Sequence, residues 1–273
     1  MDVLTEAFRW LNDPLNWTGP SGVLALGWAH IRIAVAATAL AAAVGLPAGV
    51  WLGQRGRGQT LGVAVSNLTR ALPTLALLAL LATAGTFGAV ATTIACAVFA
   101  LPPLLSGAVD GLGAVDRQVR DAARGVGLSP TGRLWRVELP LAVPVIAAGV
   151  RTGAVQVVAT VPLAAMVGGQ SLGTIVVTGF GTQRYGQVVA GGLLVAALCL
   201  VAEGLLAAAQ RALTPRGLLA RDRTGRARRT GKTTRPEKTG RSGRMARHDE
   251  RATATAGGAT TTKVTSTRIE ERP

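Results

Sequence analysis

Five stretches of about twenty residues, nearly free of charge, set the main limit on what this chain can fold into. They are Ile31–Gly53, Leu61–Ala84, Gly88–Gly107, Leu141–Gly168 and Val188–Gln210. A helix of about 20 apolar residues crosses the hydrocarbon core of a bilayer. In lipid the backbone must satisfy its own hydrogen bonds, which helices do and isolated strands do not. The expectation is an all-α membrane protein with about five transmembrane helices. Composition agrees, since 16% of the 273 residues are charged, against about 25% in soluble domains. Arg70 and Arg151 fall inside the second and fourth stretches, where a long guanidinium side chain can reach toward the headgroups.

The ends of the chain differ from this middle. Residues 1–23 are too polar to span and form an expected extracytoplasmic segment. Leu4, Phe8 and Leu11 share one face of a short helix predicted to end near Asp13-Pro14, and Trp10 and Trp17 suit an interface. Asp2 and Glu6 stand where a cleaved leader would be basic, so the first span is expected to stay in the protein. From Thr214 to Pro273 there are 16 Lys and Arg against 6 Asp and Glu, which supplies +10 of the net +15. This tail has too few large apolar side chains to fold and is predicted to be disordered. Its charge suits anionic lipid headgroups. No aromatic or folded module in it points to specific nucleic-acid binding.

Between them lies an expected membrane domain, residues 24–213, with a cytoplasmic connection at 108–140. The connections at Gln54–Thr60 and Ala108–Pro140 carry Arg55, Arg57, Arg117, Arg120, Arg124, Arg133 and Arg136, whereas those near Ala84–Phe87 and Gly169–Gln187 carry Arg184 alone. The excess of positive charge on the cytoplasmic side places the N-terminus outside and the tail inside. Gly45-xxx-Gly49-xxx-Gly53 and Gly149-xxx-Gly153 give small-residue faces for close helix approach. Pro47, Pro73, Pro102, Pro103, Pro144 and Pro162 interrupt the spans, and each carbonyl deprived of its helix partner needs another.

Little else in the sequence suggests chemistry. Cys96 and Cys199 lie in apolar stretches and read as small buried hydrophobes rather than as a disulfide or metal site. His30 and His248 are the only histidines, one at a membrane edge and one in the tail, and no paired-carboxylate or nucleophile–base arrangement is expected around them. Gly225-RARRT-Gly231-Lys232-Thr233 has one residue too many for a phosphate loop and no strand before it. No cofactor is expected, and the chain is read as a transporter subunit rather than an enzyme. Glu203, inside the last stretch, is a candidate for a cavity or ion-pair role. It also lies about two turns from Arg211, near enough for an interfacial one.

The informative segment is Asp121–Pro140, DAARGVGLSPTGRLWRVELP. Ala122, Ala123, Gly125 and Gly127 leave a surface against which another helix can press. Ser129-Pro130 is a helix start, with Ser as cap and Pro in the first turn. Leu134, Trp135 and Val137 add apolar contacts before Leu139-Pro140 opens the next span. The pattern predicts two short helices joined at a Gly turn. It resembles the coupling motif of ABC import permeases, which reads Glu-Ala-Ala, three residues, Gly, nine residues, Ile, one residue, Leu-Pro. Asp121, Ala122, Ala123, Gly127, Val137, Leu139 and Pro140 match it at every interval, with Asp for Glu and Val for Ile.

Within that group, Asn12-Asp13-Pro14, Asn16-Trp17, Gly19-Pro20, Leu139–Ile146, Gly149–Thr152 and Ala164–Gly169 with Leu172-Gly173 look like permeases for osmoprotectants. The resemblance covers about residues 10–217. It implies a type I importer core of five spans working as a pair with a second copy or a paralogue. It also implies cytoplasmic ATP-binding subunits, an extracytoplasmic substrate-binding protein, and glycine betaine, choline or carnitine as cargo. The same fold with an amino acid or an oxyanion as cargo, and a membrane scaffold with a lipid-binding tail, are the alternatives.

Overall fold

The computed structural model describes residues 2–55 and 73–213, and these are helical with short connections. A surface helix α1 (Val3–Asn12) leads through a 3-10 turn at Pro14–Asn16 into α2 (Val23–Gln54). Then follow α3 (Thr74–Thr83), α4 (Gly88–Gly113), α5 (Arg117–Gly125) and α6 (Pro130–Arg133). A π turn at Leu134–Glu138 joins α6 to α7 (Leu139–Thr160), which ends in a 3-10 segment at Val161–Val167. Helices α8 (Gly173–Gly181) and α9 (Tyr185–Leu213) complete the described chain.

Four helical runs among the described residues are long and apolar enough to cross a membrane: Val23–Gln54, Gly88–Gly113, Pro130–Val167 and Tyr185–Leu213. They correspond to the first, third, fourth and fifth predicted stretches. Of the second stretch, α3 is described, while residues 61–72 lie outside the described part. The first span begins at Val23, eight residues before the predicted start. His30 and Arg32 do not end it, because His30 is buried against another helix. The expected connection at Gly169–Gln187 contains α8. Its helical form follows from packing, since a Cβ on Gly191 of α9 would stand 2.8 Å from the Val176 side chain. Tertiary contact outweighs the β-branched run Thr174-Ile175-Val176-Val177.

Small residues fix how the spans run. A Cβ added to Gly45 would meet Leu101 and Leu104, one on Gly49 would meet Leu105 and Ala108, and one on Gly53 would meet Leu112. Rising numbers face rising numbers, so α2 and α4 are parallel. On the other side of α4, Gly107 faces Gly149 and Gly111 faces Ala142 and Ile146, so α7 is antiparallel to α4. The predicted faces Gly45/Gly49/Gly53 and Gly149/Gly153 are these contacts. A Cβ on Gly107 would stand 2.8 Å from the Gly149 Cα, so the two backbones touch with no side chain between them.

The core these contacts enclose is built from small side chains. Ala34, Ala37 and Ala41 of α2 pack on Cys96, Ala97 and Ala100 of α4, with Val157, Val158 and Val161 closing the cluster. Cys96 is buried, and both cysteines are free thiols. Alanine costs no side-chain entropy in a helix, and close backbones gain dispersion contacts that lipid does not supply.

The 3-10 break after α7 has a local cause. Pro162 has no N–H to give to the Val158 carbonyl four residues earlier. That carbonyl lies 2.9 Å from Nε2 of His30 on α2, and His30 is fully buried. The histidine replaces the missing helix donor, as a freed carbonyl in a membrane requires.

Helix α1 ends at Asn12, as the sequence predicts. Ala7 is its buried residue, set against α9 at Gly186, while Leu4 and Phe8 point away from the protein. Trp17 donates from Nε1 to the Leu11 carbonyl at 2.7 Å, and Asn16 donates to the Trp10 carbonyl at 2.8 Å. These bonds hold the segment folded back at the end of the bundle where α2 and α9 begin.

Candidate functional site

Between α4 and α7 the chain forms a projection from residues 114 to 138. Asp116 caps α5 by accepting from the Gln118 N–H at 2.9 Å. The helix closes on Gly127, whose φ of +82° lies in the left-handed region. The Gly127 N–H donates to the Arg124 carbonyl at 2.9 Å and the Leu128 N–H to the Ala123 carbonyl at 3.2 Å. This arrangement satisfies carbonyls that a helix end leaves open, and glycine adopts it without strain. Ser129 then accepts from the Gly132 N–H at 3.1 Å, with Pro130 in the first turn of α6. The two short helices and the Gly turn expected from the sequence are present.

The predicted residues take different positions on this projection. Asp121 and Ala122 are exposed, Asp121 lying 3.4 Å from Arg124. Ala123 is buried beneath them. Gly125 and Gly127 face open space, with nothing within 4 Å of a Cβ at either position. Val137 and Leu139 are partly buried, and Leu139 packs with Leu112, Leu134 and Ala142. Pro140 is exposed in the first turn of α7. Val126 and Trp135 are 79% and 67% exposed, so the projection carries an apolar surface bordered by small residues. Of the apolar residues expected to make contacts, Leu134 turns inward and its neighbour Trp135 turns outward on the π turn.

The sequence alone did not reveal what holds the projection in place. Glu138 is buried and accepts from Arg133 Nε at 2.7 Å, with Arg120 Nε at 3.7 Å. Arg120 also donates to the Leu112 carbonyl at the end of α4. One carboxylate thus links α5, α6 and the start of α7, and Arg120 links α5 to α4. As counts of positive charge, Arg120 and Arg133 indicate only which side of the membrane they occupy. The spacing of Arg133 and Glu138, five residues apart, matches a neighbouring pair only when the turn is π rather than α.

A second polar cluster lies within the spans. Arg151 of α7 pairs with Glu203 of α9. Arg151 Nη1 also donates to Gln210 Oε1 at 3.1 Å, and Gln210 Nε2 donates to the Pro144 carbonyl at 3.3 Å. The pair lines an open cavity of about 510 Å³ together with Thr152 and Gln156. Arg151 lies roughly 18 Å along α7 from Leu139 at about 1.5 Å per residue. It is therefore well inside the apolar run Pro130–Val167 rather than at its end. Each residue stands out in the sequence as a charge in an apolar stretch. Their similar depth, counted from the two helix ends at that side, is the signal that would have joined them.

No group of His, Cys, Asp or Glu among the described residues could hold a metal. A bundle of apolar spans, a polar-lined cavity between two of them and a helical projection at one end define a membrane-embedded transport subunit. Residues 45–215 match the model of the binding-protein-dependent transport system inner membrane component, and the chain belongs to that family.

Relatives agree on this assignment. The choline transport system permease protein OpuBB of Bacillus subtilis is 32% identical over 69% of this chain and 87% of its own length. The glycine betaine/carnitine/choline permease OpuCB of the same organism is 29% identical over the same shares. The osmoprotectant import permease OsmW of Salmonella typhimurium is 29% identical over 72% of this chain and 95% of its own. Among solved structures, the MetNI methionine ABC transporter superposes with a TM-score of 0.61 at 22% identity, covering 71% of this chain and 97% of that one. The fold is that of a type I ABC importer permease.

Proposed function

We propose that this chain is the permease subunit of an ATP-driven importer that carries quaternary-amine osmoprotectants such as glycine betaine, choline or carnitine across the cytoplasmic membrane. The relatives named for those cargoes, which match most of their own length to this chain, carry the cargo reading.

ATP hydrolysis belongs to separate cytoplasmic subunits that dock on the projection through Asp121, Ala122, Ala123, Gly125 and Gly127, with Val137, Leu139 and Pro140 passing the movement to α7. The exposed Val126 and Trp135 beside two unobstructed glycines support this surface. Closure of the ATPase pair shifts the projection, and the spans tilt between outward-facing and inward-facing states. In this reading the projection and the basic tail are cytoplasmic and residues 1–23 are extracytoplasmic, where a substrate-binding protein delivers cargo. A second copy or a paralogue completes the passage.

The test is uptake of labelled glycine betaine, choline and carnitine in a salt-stressed strain with redundant systems removed. Uptake should fall on deletion of the gene and return with the intact gene. Uptake unchanged by deletion would refute the cargo.

A further inference from the structure

Arg151 and Glu203 need a reason to be where they are. Charges inside a span are costly and face a protein interior or a water-filled space rather than acyl chains. This pair is neither enclosed nor at the end of its apolar runs. Both side chains are about one third exposed, at 36% and 38%, and they border a cavity of about 510 Å³. Thr152, Gln156 and Gln210 add hydroxyl and amide groups to the same wall. A face of this polarity on α7 and α9 belongs to the solute's path and not to the lipid boundary.

A guanidinium and a carboxylate side by side carry the charge pattern of a zwitterion in reverse. Betaines hold a carboxylate a few bonds from a trimethylammonium. An Arg fork binds a carboxylate through two parallel N–H donors. A carboxylate can face the quaternary cation, which has no N–H to donate. When no solute is present the two side chains satisfy each other, so the cavity does not leave a bare charge in the membrane.

We propose that Arg151 and Glu203 form a transit site for zwitterionic quaternary amines, in which the solute's carboxylate takes the Arg151 fork and its ammonium faces Glu203. The inference rests on the osmoprotectant reading above. The cavity wall has no aromatic side chain, so the cage that gives quaternary ammonium groups tight binding is missing. Weak binding is what passage requires, since a solute must leave as readily as it enters. Choline has the cation without the carboxylate, and it would use Glu203 alone.

That difference between cargoes supplies the test. The complex, with its ATPase and binding protein, is reconstituted in proteoliposomes as wild type, Arg151→Gln and Glu203→Gln. Arg151→Gln should lose about ten-fold in glycine betaine and carnitine transport while choline transport falls less than about two-fold, the size expected for one charge-assisted contact. Glu203→Gln should lower all three.

A purely structural ion pair would lower every cargo equally in both variants, and equal losses overturn the proposal. So does a wild type that carries choline alone. If Arg151→Gln does not reach the membrane, Arg151→Lys keeps the charge without the fork and should split the cargoes in the same direction. For a wild type that moves no choline, saturation-transfer NMR on the permease–ATPase complex in nanodiscs, without the binding protein, decides the matter. The glycine betaine signal should vanish in Arg151→Gln while a choline signal persists, and a glycine betaine signal equal to wild type overturns the site. A wild type that moves none of the three refutes the osmoprotectant reading itself, and the transit site with it.

Discussion

His30 on α2 donates to the Val158 carbonyl of α7, whose helix partner is removed by Pro162. The bond is 2.9 Å long and joins residues 128 positions apart, in a place no water reaches from the surface. His30→Phe leaves that carbonyl unsatisfied, at a cost of about 1–3 kcal/mol. The loss should appear as a lower midpoint in thermal unfolding of the detergent-solubilised protein. In a Pro162→Ala background, where residue 162 regains an N–H, the same substitution should cost clearly less. Equal costs in the two backgrounds would show that the proline is not what gives the histidine its role.

Gly107 and Gly149 meet backbone to backbone, so a side chain at either must drive α4 and α7 apart. Gly149→Leu should cost more than about 3 kcal/mol, at the upper end of overpacking effects. Gly204, on α9, has nothing within 4 Å of a Cβ, and Gly204→Leu should be neutral. Size-exclusion chromatography of the two variants from membranes compares them directly. Monodisperse Gly149→Leu at wild-type yield would contradict the packing.

The proposed coupling surface should be probed at Gly125 rather than Gly127. Apart from Asn and Asp, an L residue at Gly127 is strained by about 1–2 kcal/mol because φ is positive, whatever it touches. A lost interaction there could come from a deformed turn. Gly125 has ordinary backbone and open space, so Gly125→Trp changes the surface alone. Co-purification of the ATPase should fall about ten-fold or more with Gly125→Trp, the loss typical of a blocked interface centre. Gly127→Asn, a residue that tolerates the left-handed region, should keep most of it. Wild-type recovery of the ATPase with Gly125→Trp would move the docking surface elsewhere.

Glu138→Leu removes the buried carboxylate that Arg133 and Arg120 share. Breaking a buried pair from one side costs about 3–5 kcal/mol. Here the cost should fall on the projection and leave the spans intact. Hydrogen exchange at the Val126, Gly127 and Leu128 amides should accelerate, while exchange in the small-residue core of α4 stays slow. Unchanged protection at those three amides would mean the projection is held by other contacts.

Much of this architecture was legible in the sequence because lipid imposes a simple rule. Long apolar runs become spans, and Ser129, Pro130 and Gly127 mark a helix start and a helix end by local chemistry alone. The glycine faces were legible as spacing, although their partners on α4 were not. What sequence could not supply depended on register between distant helices. Arg151 and Glu203 stood apart as two separate charges, His30 had no visible link to Pro162, and α8 was hidden by residues that favour strands. The turn that carries Trp135 is π, and its i to i+5 bond leaves no mark in hydrophobic spacing.

The unbroken path from the projection through α7 to Arg151 has a mechanical side. Helices α2, α4 and α7, in contact through glycine and alanine, have no compliant layer between them and behave as one stiff strut. The five-residue π turn Leu134–Glu138 forms its foot. A push on the foot is either absorbed there or delivered undiminished to the level of Arg151. In the proposed cycle, the stiffness of that short ankle would set how much of each stroke reaches the cargo.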